Sequence, residues 1–162
     1  MTPAPAELTD RPASPEDADF LFRVYASTRA GELAALGWPP AQQEAFLRMQ
    51  YDIRRQSYAA YTGAVSTVLL AHGTPAGSAI VWRTPGEIRL IDIALLPDFR
   101  SRGLGGQWIE RLIREASAAQ LPLRLSVLNT NPARSLYERL GFVPKSGGSM
   151  YVEMETYGTG SK

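Results

Sequence analysis

The sequence predicts an α/β protein organised around a largely antiparallel sheet. Three apolar runs, at residues 64–72, 76–83 and 87–97, are separated by short turns, which is typical of an antiparallel meander. Amphipathic helical patterns precede and follow this meander. The 162 residues, 44% of them hydrophobic, suffice for one core and are few for two, so we expect residues 1–162 to form a single domain.

The N-terminal third predicts one short strand and two helices. The strand lies around residues 8–11, and the first helix begins after Ser14, a suitable N-cap, with Pro15 as its first residue. A break at "GWPP" separates this helix from a second one over residues 41–58. The apolar face of the first helix is predicted to comprise Phe20, Leu21, Val24 and Tyr25. The second helix carries a polar, partly aromatic stripe that includes Tyr51, Arg54 and Tyr58.

The C-terminal half predicts helices and strands in alternation. A helix that begins at Leu104 has an apolar face formed by Trp108, Ile109, Leu112, Ile113 and Ala116. It is followed by a strand over residues 121–128, a helix over 131–141 and a last strand over 150–156. Residues 1–7 and 157–162 are expected to be loose termini.

Composition excludes several kinds of site and partner. The formal net charge of +1 provides no overall field that would collect nucleic acid or an anionic membrane. The absence of cysteine excludes disulfides and a cysteine nucleophile, and the single histidine, His72, leaves no zinc-binding cluster, so no metal is expected. The N-terminus lacks the pattern of a signal peptide and no run approaches 18 apolar residues, which favours a cytoplasmic location.

The stretch "RSRGLGG" at residues 100–106 places two arginines and three glycines between a predicted strand and a predicted helix. Such a junction is a general anion site, because the first N–H groups of a helix lack internal partners and the helix dipole is positive at that end. The dinucleotide fingerprint does not fit, because Trp108 stands where a small residue must pack. The phosphate loop of NTPases does not fit either, because no lysine occurs before Lys145.

This stretch and its surroundings resemble the GNAT superfamily of acyl-CoA-dependent N-acyltransferases. The spacing Arg100-x-x-Gly103-x-Gly105 is similar to the family's R/Q-x-x-G-x-G/A motif at the junction of strand 4 and helix 3. A second family motif, N-x-x-A-x-x-L-Y-x-x-x-G-F, is similar to "NTNPARSLYERLGFVP", with Ala133 one position early. The resemblance covers residues 87–144 and implies the GNAT fold. That fold is a mixed, mostly antiparallel sheet of six to seven strands with helices on both faces and with strands 4 and 5 splayed.

The resemblance implies that acetyl-CoA is the cosubstrate. In the family, the loop amides and a basic side chain hold the CoA pyrophosphate, and main-chain N–H groups of strand 4 bond the pantetheine arm. The residues so implied are Ala94, Leu95, Arg100, Ser101, Arg102, Gly103, Leu104, Gly105, Gly106, Asn131, Ala133 and Tyr137. Asn131, followed by Pro132, is also suited to be the N-cap of its helix, and the two roles are compatible.

Three residues are candidates for proton transfer. By resemblance, Tyr137 is the general acid for the departing thiolate, and the alternative is an aromatic side chain that packs at the edge of the domain. Asp92 interrupts an apolar row of strand 4 unless a bulge reorients it, and burial would bring its pKa toward that of a useful base. The alternative for Asp92 is a structural hydrogen bond. Glu87, the first residue of that strand, is either a proton relay through water or a solvated side chain.

Together these residues predict transfer of an acetyl group to a primary amine of a small molecule or peptide. The amine attacks directly, because no cysteine is present to carry a covalent intermediate. In the family the first two helices form the variable acceptor wall, which here contains Tyr25, Arg29, Trp38, Gln50, Tyr51 and Arg54. The alternative is a non-catalytic acyl-CoA-binding sensor or interaction module with the same fold. The expected partners are acetyl-CoA and an amine, in a monomer or a homodimer, without nucleic acid or membrane.

Overall fold

The computed structural model describes residues 8–148 and 150–157 and contains one seven-stranded sheet. The strands are β1 (Leu8–Pro12), β2 (Val65–Ala71), β3 (Thr74–Arg83), β4 (Ile88–Leu95), β5 (Leu123–Leu128), β6 (Val143–Gly147) and β7 (Tyr151–Thr156). Their order across the sheet is β1-β2-β3-β4-β5-β7-β6, and every neighbouring pair is antiparallel except β4 and β5. The helices are α1 (Ala18–Ala34), α2 (Pro40–Tyr58), α3 (Leu104–Ala118) and α4 (Ala133–Arg139).

The predicted mixed, mostly antiparallel sheet and the predicted meander, β2 to β4, are confirmed. The sequence did not indicate β6, an edge strand whose residues are all exposed and which contains Pro144. An exposed strand has no buried face, and therefore lacks the alternation by which a strand is found. The loose termini expected at residues 1–7 and 157–162 lie outside the described residues, apart from Tyr157.

The hydrophobic core lies between the sheet and α3. All five predicted core residues of α3, from Trp108 to Ala116, are buried. They pack with sheet residues such as Leu69, Leu123 and Met154, each of which is almost fully buried. Burying large apolar side chains of this kind stabilises the fold by about 1.5–3 kcal/mol for each side chain.

The opposite side of the sheet is covered by α1, against which α2 packs. Helix α1 buries Val24 and Tyr25 as predicted, but it also buries Phe22, whereas Phe20 and Leu21 of the predicted face are only partly buried. The reason is that α2 covers a second side of α1, with the Tyr51 ring against Phe22 and Tyr25 at centroid distances of 5.6 and 5.3 Å. Helix α2 itself has no buried residue, so aromatic and ionic contacts with α1 and the sheet hold it in place.

The parallel pair β4 and β5 separates soon after it begins. Only two residue pairs are in register, Ile88 with Leu123 and Arg89 with Arg124, although β4 continues to Leu95 and β5 to Leu128. The predicted splay of strands 4 and 5 is therefore confirmed. Beyond Arg89, no strand pairs with β4 on its β5 side within the part of the chain that the structure describes.

A bulge in β4 changes the side of the sheet that its later residues face. Val81 of β3 is opposite Leu90 and Ile80 is opposite Asp92, so Ile91 is an extra residue without a partner on β3. Leu90 is buried in the core with α3, whereas Asp92 shares with Ile80 the face that lies toward α1 and α2. The carboxylate is thereby removed from the apolar row in which simple alternation would place it, as the sequence allowed.

The close approach of β3 and β4 beside this bulge predicts a sensitive glycine. A Cβ atom at Gly77 would lie 2.2 Å from the Ala94 carbonyl oxygen, a contact that forces the backbone to move. We expect Gly77→Ala to lower the free energy of unfolding by about 1–3 kcal/mol, as overpacking does. In the control Gly31→Ala, in α1, the new Cβ has no neighbour within 4 Å. That variant should gain about 0.5–1 kcal/mol from helix propensity. Urea denaturation measures both, and equal stability of the two variants would contradict this packing.

Candidate active site

A cavity of about 610 Å³ lies between the two N-terminal helices and the splayed part of the sheet. Helices α1 and α2 line it with Tyr25, Thr28, Arg29, Tyr51, Arg54 and Tyr58. The sheet lines it with Ser78, Ile80, Asp92, Ile93 and Ala94, and the end of β5 and the loop after it contribute Leu128 and Asn131. Of the acceptor wall predicted from the sequence, Tyr25, Arg29, Tyr51 and Arg54 are in this lining, whereas Trp38 and Gln50 are not.

An ion pair between Arg54 and Asp92 crosses the cavity from α2 to β4. Arg54 Nη2 donates a hydrogen bond of 2.7 Å to Asp92 Oδ1. The guanidinium also lies 5.6 Å from the centre of the Tyr25 ring and 5.4 Å from that of Tyr58, within the range of cation–π attraction. Burial raises the pKa of the Asp92 carboxyl, and Arg54 offsets part of that rise. The pair thus provides a half-buried carboxylate whose affinity for a proton exceeds that of an ordinary aspartate.

Tyr137 lies close enough to Asp92 to interact with its charge. Its ring is almost fully buried and meets the Phe142 ring edge-on at a centroid distance of 5.7 Å. Burial raises the pKa of Tyr137 to about 12, and the negative charge of Asp92 adds to the rise. The phenol therefore keeps its proton throughout the neutral range. Tyr137 lies on α4 and does not itself line the cavity.

Glu87 is not brought to this cavity. It accepts hydrogen bonds from Arg89 at 2.8 Å and from Arg124 at 2.9 Å, at the closed end of the β4–β5 pair. Burial alone would raise the pKa of Glu87, but these two hydrogen bonds lower it below its usual range. A carboxylate held by two guanidiniums is a weak base, so the geometry favours a structural role for Glu87 over the proton relay considered from the sequence.

The loop of residues 100–106 leads directly into α3. Ser101 and Gly103 both have positive φ, 62° and 76°, and Gly103 caps the helix in the left-handed conformation that glycine adopts without strain. Arg100 donates hydrogen bonds to the Leu95 carbonyl at 2.8 Å and to Ser27 Oγ at 3.2 Å, which fix the loop to the end of β4 and to α1. The Arg102 guanidinium lies 5.8 Å from the centre of the Phe99 ring.

In the first turn of α3, two of the free backbone N–H groups belong to glycines, Gly105 and Gly106. A Cβ at Gly105 or Gly106 would meet Leu95 or Leu136 at 3.7 or 3.6 Å, which is ordinary contact. Packing therefore does not require glycine at either position, although glycine in a helix costs about 0.5–1 kcal/mol relative to alanine. Glycine at these positions instead leaves the N–H groups of the helix N-terminus open to close approach by a phosphate.

The remaining candidates for cofactor contact lie where β4 and β5 separate. Ala94 and Leu95 are on the part of β4 whose β5 side is open. Alternation along the strand turns the Leu95 N–H toward that side, where an extended ligand can reach it, whereas the Leu95 carbonyl already accepts a hydrogen bond from Arg100. Asn131 Oδ1 accepts a hydrogen bond of 2.9 Å from the N–H of Ala133, which confirms its predicted capping role. Asn131 also lines the cavity, so capping and ligand contact are compatible at this residue.

Two residues important to the cavity were not singled out by the sequence. Ser78 and Ile80 reach it from β3 because they lie opposite Ala94 and Asp92 in the sheet register. Pairing register depends on contacts distant in sequence, and no local pattern carries it. Within residues 8–148 and 150–157, no three potential ligands are grouped as a metal site, and no helix has the length and apolarity needed to cross a membrane.

Comparison with known proteins agrees with this geometry. Residues 62–144, just over half of the chain, match the family model described as "Acetyltransferase (GNAT) domain". The chain is 26% identical, over 80% of its length and 76% of the relative's, to a Bacillus subtilis protein provisionally named ribosomal protein bS18 alanine N-acetyltransferase.

Two solved structures share the fold at lower sequence identity. The PaiA N-acetyltransferase from Thermoplasma acidophilum, in complex with coenzyme A, has a TM-score of 0.66 at 19% identity over 93% of this chain and 98% of that one. The ribosomal-protein-S18-alanine N-acetyltransferase from Escherichia coli has a TM-score of 0.61 at 23% identity over 91% of this chain and 92% of that one. Similarity at this level shows the fold, and the predicted architecture is confirmed.

The contact between Arg54 and Asp92 predicts an energetic coupling between α2 and the sheet. In a double-mutant cycle, Arg54→Gln and Asp92→Asn should be less destabilising together than the sum of their separate effects. We expect a coupling of about 1 kcal/mol, because the two side chains are still 35% and 26% exposed and the pair is partly screened. Urea denaturation of the four proteins gives this value. The exposed pair of Arg29 and Glu32 on α1 serves as control and should couple more weakly. If the losses in the free energy of unfolding caused by Arg54→Gln and Asp92→Asn simply add in the double variant, the observed contact is contradicted.

Proposed function

We propose how this chain, which belongs to the GNAT family of acetyl-CoA-dependent N-acetyltransferases, holds its cosubstrate and admits its acceptor amine. The loop at the start of α3 would bind the CoA diphosphate, the open side of β4 would bind the pantetheine arm, and the cavity beside α1 and α2 would receive the amine. The observation that carries this arrangement is the position of Ala94. It lies in the part of β4 that β5 no longer covers and also lines the cavity, so both substrates would meet there.

The loop is suited to a diphosphate by both charge and backbone. N–H groups at the N-terminus of α3 have no partners within the helix, and Gly105 and Gly106 allow a ligand to approach them. Arg102 adds an exposed positive charge, while Arg100 supports the loop through Leu95 and Ser27. A nucleotide diphosphate would gain charge-assisted hydrogen bonds from these groups.

The chemistry is nucleophilic attack of a neutral amine on the thioester carbonyl. The C–N bond forms, the C–S bond breaks, and the CoA thiolate leaves with the electron pair. Tyr137, still protonated at neutral pH because its pKa is about 12, would donate a proton to the thiolate and regain one from solvent. Asp92 would accept the proton that the amine loses, directly or through water, because burial raises its pKa. Main-chain N–H groups near Ala94 would polarise the carbonyl.

Positioning supplies much of the rate in such a reaction, because holding two reactants in contact replaces a bimolecular encounter. The acceptor identity, a cytoplasmic location and a monomeric or homodimeric state remain predictions. The name of the Bacillus subtilis relative suggests a peptide N-terminus as one class of acceptor.

The loop assignment predicts that Arg100→Glu and Gly103→Glu each abolish measurable CoA binding. The first removes the support of the loop and repels the diphosphate, and the second adds a carboxylate and strains a residue whose φ is 76°. Arg114→Glu is the matched control, since it makes the same charge change on an exposed position of α3, remote from the loop. Calorimetry with CoA is the measurement. Unchanged affinity in either loop variant would overturn the assignment.

The assignment of Tyr137 predicts that Tyr137→Phe lowers kcat by about 10²–10⁴-fold with little effect on CoA affinity, because only proton donation is lost. The pH profile gives a second test. With a pKa of about 12, Tyr137 should cause no loss of kcat below about pH 10, whereas protonation of the amine and of Asp92 should reduce activity as the pH falls. A decline above pH 8 that disappears in Tyr137→Phe would contradict the raised pKa, and an unchanged kcat would leave Tyr137 a packing residue.

A further inference from the structure

The cavity that receives the amine is rich in arginine. Its lining contains four guanidiniums, those of Arg29, Arg48, Arg54 and Arg55, and three carboxylates, those of Glu32, Asp52 and Asp92. An amine approaches in water mostly as its cation, so an excess of positive charge repels an acceptor with several amino groups. The same lining attracts an acceptor that has an anionic group beside its amine.

Arg54 is the guanidinium best placed to bind such a group. It lies within cation–π distance of the Tyr25 and Tyr58 rings and is positioned by its hydrogen bond to Asp92. The guanidinium of Arg54 has five N–H donors. The hydrogen bond to Asp92 and the interaction with the Tyr58 hydroxyl use only some of them. The other donors can bind a planar carboxylate in the bidentate manner that arginine favours.

The other three arginines are less suited to this task. Arg29 pairs with Glu32 at 3.1 Å and lies 5.7 Å from the centre of the Tyr25 ring, whereas Arg48 pairs with Glu44 at 3.6 Å at an exposed position of α2. Neither is hydrogen-bonded to Asp92. Arg55 is exposed and lies 5.7 Å from the centre of the Tyr51 ring. They contribute positive charge at the entrance, whereas Arg54 lies beside the carboxylate that would take the amine proton.

We propose, on the basis of the function above, that the acceptor is a small amine of the α-amino acid type, with a free carboxylate one carbon from its nitrogen. The ammonium group would approach Asp92 while the carboxylate binds Arg54. The Arg54 and Asp92 charges are 2.7 Å apart. The ammonium and carboxylate groups of an α-amino acid are a similar distance apart, so each can contact the protein group of opposite charge. Arg54 is thereby a specificity-determining residue. A peptide N-terminus lacks this carboxylate, so the preferred acceptor would differ from the one in the name of the Bacillus subtilis relative.

The test compares amines that differ only at the carboxylate. Release of CoA thiol is measured with L-phenylalanine and L-phenylalaninamide, with L-alanine and L-alaninamide, with phosphoethanolamine and with a polyamine. We expect kcat/KM to be at least about tenfold higher for each acid than for its amide, in line with a charge-assisted bidentate contact. The amide has the more easily deprotonated amine, so intrinsic reactivity works against this result.

Variants assign the preference to Arg54. Arg54→Gln should reduce the ratio of acid to amide to near one, mainly by raising KM for the acid, and Arg54→Lys should restore only part of it because a lysine lacks the planar fork. Arg23→Gln is the control, since it removes a guanidinium from a part of α1 outside the cavity, and should leave the ratio unchanged. Calorimetry with CoA shows that each variant is folded.

The outcomes separate this inference from the proposed function. Thiol release that is equal or faster with the amides, with phosphoethanolamine or with the polyamine would overturn the inference and leave acetyl transfer intact. An acid preference that persists in Arg54→Gln would also overturn it. Binding of CoA without thiol release for any amine would overturn the proposed function itself.

Discussion

The pairing of β4 with β5 ends after two residues, and the whole site depends on that early separation. The closed end is held by ionic contacts across three strands, in which Arg89 pairs with Glu87 and Glu153, and Arg124 pairs with Glu87 and Glu155. Directly beyond this cluster the bulge at Ile91 turns β4 away from the regular register. An uninterrupted sheet would use the polar groups of β4 to bind β5, and none would remain on that side for an extended ligand.

The same bulge creates the electrostatic environment of the cavity. It moves Asp92 from the core side to the side of α1 and α2, where α2 supplies Arg54 as its partner. Because α2 has no fully buried residue, this ion pair, the contacts of Tyr51 with α1 and the cation–π contact of Arg48 with Phe22 contribute to holding the helix in place. The proposed acceptor wall therefore includes an element with no fully buried residue. Such elements can change in sequence without loss of the core, which is consistent with a variable acceptor.

Local sequence patterns predicted those parts of the molecule whose conformation and burial are determined by residues nearby in the chain. The buried face of α3 follows from helical periodicity, and the start of that helix at Leu104, directly after Gly103, follows from the glycine-rich junction between strand and helix. Long-range packing determined the rest. Phe22 is buried and Phe20 only partly buried because α2 covers α1 from a second side, and Arg54 meets Asp92 because two segments 38 residues apart converge. The ion pairs of Glu87 likewise come from strands that the sequence alone does not place beside it.

The central claim is that CoA lies along the open side of β4 with its diphosphate at the start of α3. Backbone amide hydrogen exchange, followed by NMR with and without CoA, tests it most directly. We expect added protection at two separate places, Leu95 on the open side of β4 and residues 104–106 of α3, with little change in β6 at the far edge of the sheet. If amide exchange at both places is unchanged although CoA is bound, this placement of CoA is contradicted.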